Sequence, residues 1–69
     1  MPYINVILTK ENGGLSANQK QELIKKLTSS VIEVVGRGQT SCVVTINEIE
    51  TDNYGIGGKS VTQIRKENS

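Results

Sequence analysis

The sequence predicts an α/β fold: one βαβ unit with parallel strands, whose sheet is completed by association with other copies of the chain. Three observations point to it. Two stretches rich in β-branched residues, 3–9 and 41–48, flank a long stretch patterned for a helix. The connecting segments carry the caps and glycines that start and stop such elements. The chain, at 69 residues, is also too short to cover both faces of the resulting sheet by itself.

Residues 3–9, Tyr-Ile-Asn-Val-Ile-Leu-Thr, place Ile4, Val6 and Leu8 on one apolar face. The opposite face, Tyr3, Asn5, Ile7 and Thr9, is only partly polar, a pattern that predicts burial on both sides. Residues 10–15 form a loop marked by Asn-Gly-Gly. Ser16 then opens a helix, with Gln19 three residues on to complete a capping box. The helix runs to about Val35, with Leu23, Ile24, Leu27, Val31, Val34 and Val35 on one stripe and Lys20, Lys25, Lys26 and Glu33 largely off it. Gly36 and Gly38 end it, one of them in the left-handed cap conformation. Residues 41–48 read as the second strand, with Cys42, Val44 and Ile46 on one face. A helix of roughly 28 Å is long enough to cross back over a strand of roughly 23 Å, which gives a right-handed crossover and parallel strands. Residues 49–58 are acidic and then glycine-rich, and the 59–69 tail, with Val61 and Ile64 among polar residues, fits a short helix or a hairpin arm reaching a neighbour.

These elements make one domain, spanning 1–69, with an aliphatic core, since Tyr3 and Tyr54 are the only aromatics. Lone cores of this size need staples. A single cysteine allows no internal disulfide, and one thiol with no histidine makes no zinc site, so no metal or cofactor is expected. Oligomerisation remains, and the face of the sheet away from the helix supplies the surface: Tyr3 and Ile7 with either Cys42, Val44 and Ile46 or Val43 and Thr45. A symmetric dimer is the simplest unit. Net charge of +1 and the lack of a basic–aromatic platform argue against a nucleic-acid binder. No segment has the length of a membrane span or the layout of a signal peptide, and the lone thiol fits a cytoplasmic protein.

Most familiar chemistry is excluded by composition. Without histidine there is no Ser-His-Asp triad and no Cys-His pair. Tyr54-Gly-Ile-Gly-Gly-Lys59-Ser60 ends like a phosphate loop, but Asn53 stands where that loop needs its first glycine. Glu48, Glu50 and Asp52 read as a solvated rim, and Cys42 as a small core residue. Pro2 is different. It is the only proline, directly behind Met1, and removal of Met1 leaves it with a free secondary amine able to act as base or nucleophile, which an acylated proline nitrogen cannot.

The order of Met1-Pro2, Ser16-x-x-Gln19-Lys20 opening the helix, Thr40-Ser41 leading into Val43-Val44, and Tyr54-Gly55-Ile56-Gly57-Gly58 resembles the 4-oxalocrotonate tautomerase family over nearly the whole chain. The resemblance implies βαβ protomers that pair into four-stranded dimers, with three dimers commonly forming a homohexamer. It also implies that the proline amine moves a proton between oxygen and carbon positions of an enol or 2-hydroxydienoate acid. Burial and nearby cations would lower the pKa of that amine, and Ile4, Ile7 and Leu8 are the apolar neighbours expected to bury it. The two arginines that bind substrate in the best-known members are missing, with Leu15 and Val43 at the aligned positions, and the loop before the helix is about three residues longer. Tyr54 replaces a phenylalanine, keeping a wall of the pocket beside Ile56 and adding a hydroxyl. Lys10 is the first candidate to replace the lost charges, ahead of Arg37, Lys59 and Arg65. Alternatives are a related proline-dependent hydratase, dehalogenase or decarboxylase, for which Glu11 is the available carboxylate, and a non-catalytic oligomer of the same fold.

Overall fold

The computed structural model describes residues 2–38 and 40–69. Strands β1 (Tyr3–Thr9) and β2 (Val43–Ile49) pair in parallel, from Tyr3 opposite Val43 to Thr9 opposite Ile49. Helix α1 (Ala17–Val35) connects them. Its start is the expected capping box: the Gln19 N–H donates to the Ser16 hydroxyl at 3.1 Å, and the Ser16 N–H donates to the Gln19 side chain at 2.9 Å. Its end is Gly36, whose φ of 81° is the left-handed cap and whose N–H donates to the Ile32 carbonyl at 2.7 Å.

The second strand begins two residues later than its β-branched run suggests. The N–H groups of Ser41 and Cys42 both donate to the Gly38 carbonyl, at 3.1 and 2.8 Å, so these residues form a tight turn. Pairing therefore starts at Val43, whose N–H donates to the Pro2 carbonyl at 2.9 Å. Cys42 precedes the strand and is half-buried. Val44 and Ile46 lie opposite Ile4 and Val6, all half-buried on one face. The other face carries Tyr3, Ile7 and Val43, exposed by 66%, 50% and 40%. Between them runs a polar ladder in which the Thr45 hydroxyl and the Asn47 amide both donate to Asn5 Oδ1, at 2.8 and 2.9 Å.

Of the two forms expected for the tail, the short helix is present, and only the first two tail residues belong to a hairpin, made with the preceding stretch of the same chain. After a 3₁₀ turn at Thr51–Asn53, strands β3 (Gly55–Ile56) and β4 (Lys59–Ser60) form a hairpin around Gly57 and Gly58, both at positive φ as a two-residue primed turn requires. Helix α2 (Val61–Glu67) follows, capped by the Ser60 hydroxyl. It is held by a 2.6 Å hydrogen bond between Thr51 and Thr62 and by Arg65, which donates twice to Glu11 at 2.8 Å.

The protomer measures 46 × 26 × 15 Å, with a radius of gyration of 15.4 Å. A compact chain of this length would have about 11 Å. Among the described residues only Val61 is buried. The chain is flat and thin-cored.

Candidate active site

Pro2 sits at the N-terminal end of β1, half-buried, and is held from two sides. Its carbonyl accepts the first hydrogen bond from β2. Its ring lies against the backbone of Gly38: a Cβ built there would stand 3.0 Å from Pro2 Cγ and 3.2 Å from Cδ. Gly38 has a φ of 96°. Of the expected apolar neighbours, Ile4 is two residues along the strand on the side that Pro2 shares, and the other two stand farther off. Ile7 is on the open face and Leu8 is six residues along the strand, roughly 20 Å away. What abuts Pro2 is the turn after α1. Met1, whose removal would free the amine, lies outside the described residues. Arg37, beside Gly38, is exposed and makes no ion pair among the described residues.

The other candidates gather at the opposite end of the sheet. Lys10 follows the last residue of β1, its N–H donating to the Ile49 carbonyl at 2.7 Å and its ammonium 3.3 Å from Glu50. Within one protomer it is a strand length from Pro2, roughly 26 Å. Tyr54 ends the 3₁₀ turn, half-buried, with its carbonyl accepting from the Val61 N–H at 2.8 Å. Ile56 is on the hairpin and 60% exposed. Lys59 pairs with Glu67 and Arg65 with Glu11. One protomer therefore keeps its proline at one end and Lys10, Tyr54 and Ile56 at the other.

The positions aligned with the missing arginines have other uses. The Leu15 N–H donates to Glu48 at 2.9 Å, and Val43 begins β2. Glu48 is not the solvated rim its neighbours suggest. Its side chain is 11% exposed, accepts from Leu15 and pairs with Lys20 at 3.1 Å, and these partners hold its pKa below the usual carboxylate value. A Cβ at Gly14 would come within 3.1 Å of the same carboxylate, so this glycine lets the loop close over Glu48. Glu11 is committed too. Arg65 first, then Thr9, lower its pKa to about 2. Two residues escaped the sequence reading: Glu48 as a clamp and Gly38 as the seat of Pro2. The second left a trace, because Gly36 alone caps the helix and a further glycine two residues on needs another reason.

A family model for tautomerase enzymes matches residues 2–64. A probable tautomerase of Helicobacter pylori is 43% identical over 68 residues, covering 99% of this chain and all of the relative. The 2-hydroxymuconate tautomerase of Bacillus subtilis is 33% identical, over 93% of this chain and 98% of the relative. Among solved structures, DmpI from Helicobacter pylori superposes with a TM-score of 0.85 at 42% identity, covering 94% of this chain and 97% of DmpI. Family match, full-length relatives and the shared parallel βαβ frame agree: this chain belongs to the 4-oxalocrotonate tautomerase family.

Proposed function

We propose that the protein is a keto–enol tautomerase of an enol or 2-hydroxydienoate acid, with the Pro2 amine as general base and then general acid. The observation that carries this reading is the seating of Pro2 in a tautomerase-family chain: ring against Gly38, carbonyl on the first amide of β2. The amine takes the proton from the enol hydroxyl, the electron pair forms the carbonyl, and the same proton is delivered to carbon. One proton moves and no metal or cofactor is called for.

The site is completed by a second copy. Among the described residues, β1 pairs along one edge only. Antiparallel pairing of the other edge across a two-fold axis brings the Lys10 end of one chain to the Pro2 end of the other. Lys10, Tyr54 and Ile56 then supply charge, a hydroxyl and an apolar wall to a proline that lacks them in its own protomer. Three such dimers make the homohexamer, and the enzyme works in the cytoplasm. With fewer cations than the arginine-bearing members, it favours a monocarboxylate enol such as an arylpyruvate over a dicarboxylate. The carboxylate-dependent alternatives are weakened by Glu11, which Arg65 occupies and which is a poor base with a pKa of about 2.

Pro2→Ala tests the reading. Ketonisation followed by ultraviolet absorbance is expected to fall roughly 10²–10⁴-fold, with the assembly unchanged by size-exclusion chromatography. Full residual activity, or Met1 retained on every molecule by mass spectrometry, would remove Pro2 as the catalyst. No proton exchange at C3 of phenylpyruvate or at other enol acids would favour a non-catalytic oligomer.

A further inference from the structure

We propose that Gly38 is a positioning residue for the Pro2 amine: the missing side chain is the seat of the pyrrolidine ring. The proposal rests on the reading of Pro2 as the acid–base group and adds the residue that sets where its nitrogen stands. Three observations carry it. Gly38 is redundant as a helix cap, since Gly36 already holds the left-handed position and closes α1 onto Ile32. Gly38 nevertheless has positive φ, and a methyl group there would stand 3.0 Å from Cγ and 3.2 Å from Cδ of Pro2, closer than carbons pack without displacement. Cδ is bonded to the reacting nitrogen, so whatever moves it moves the base. The Gly38 carbonyl also accepts from the Ser41 and Cys42 N–H groups, and the Val43 N–H that follows holds the Pro2 carbonyl. One turn thus fixes both the ring and the strand beneath it.

Gly36 provides the internal control. Its φ of 81° imposes the same backbone penalty on an L-residue, but a Cβ there meets nothing within 4 Å among the described residues. Gly36→Ala and Gly38→Ala therefore share the strain and differ in the contact with Pro2. In Gly38→Ala the carbonyl of Pro2 stays anchored, so the ring pivots outward, loses part of its burial, and its amine pKa rises toward that of a free secondary amine. A displacement of a few tenths of an ångström is expected to lower kcat/KM roughly tenfold, mainly through kcat.

The test uses the native chain with ¹⁵N-labelled proline. Expected are a rise of about half a unit in the Pro2 ¹⁵N titration midpoint and in the acid limb of kcat/KM for Gly38→Ala, with Gly36→Ala matching wild type in both. Equal shifts in the two variants, or none in Gly38→Ala, would overturn the proposal. Should Gly38→Ala fail to fold, wild-type nuclear Overhauser contacts between the Gly38 α-protons and the Pro2 γ- and δ-protons decide it: their presence supports the seat and their absence overturns it. These resonances do not depend on turnover. Full activity in Pro2→Ala would therefore defeat the proposed mechanism while the seat of the ring is judged separately.

Discussion

Glu11 accepts three hydrogen bonds, from the Thr9 hydroxyl at 2.5 Å and from both terminal nitrogens of Arg65 at 2.8 Å. Its charged form is favoured in the folded chain, which lowers its pKa from 4.5 to about 2. A depressed carboxylate stabilises the fold fully above its ordinary pKa and loses that effect as pH falls through its folded value. The hold of Glu11 on α2 should therefore persist below pH 4.5 and fade toward about 2. Carbon-detected titration of the Glu11 carboxyl checks this, and a midpoint at the ordinary value would contradict it. Because the pair is exposed, added salt should weaken it. Nothing in the sequence marks Glu11 and Arg65 as partners 54 positions apart. The proposal of acid–base chemistry at Pro2, by contrast, starts from a single residue and its place behind Met1.

Regular elements were the most legible part of the chain, because each is written locally. The start of α1 follows from Ser16 and Gln19, and both halves of the capping box form. Ser16→Ala should cost about 1 kcal/mol, read from urea unfolding at fixed protein concentration. The start of β2 was less legible: Ser41 and Cys42 suit a strand by composition, but their N–H groups are taken by the Gly38 carbonyl before pairing begins. The tail was ambiguous because two short elements share it, and neither hairpin nor helix is long enough to show a period. The separation of Lys10 from Pro2 was implicit in the strand itself, since the eight extended steps between them span roughly 26 Å.

At the scale of the molecule, the accessible surface of 5277 Å² exceeds the roughly 4,200 Å² of a compact monomer of this mass. An isolated protomer would leave Tyr3, Ile7 and Val43 in water on the open sheet face. Folding and assembly should therefore be linked, with the thermal midpoint rising with protein concentration. Ile7→Lys, which places a charge on that face, is expected to dissociate the assembly in analytical ultracentrifugation and to lower the midpoint. A concentration-independent midpoint, or an intact oligomer in Ile7→Lys, would assign the face no such role. Length and composition lead to the expectation of partner chains, but the geometry of such an assembly is not written in them, because it depends on which sheet face and edge a second copy meets.

The parallel register that sends Pro2 to one end of the sheet and Tyr54 to the other also has a genetic consequence. If each reaction centre draws on two chains, two dead variants should complement one another. A chain lacking the base and a chain lacking the far-end residues, unfolded together and reassembled in equal amounts, would regenerate about a quarter of the centres intact by random pairing. Activity reappearing from two inactive parents would show that the unit of inheritance and the unit of catalysis are different objects in this protein.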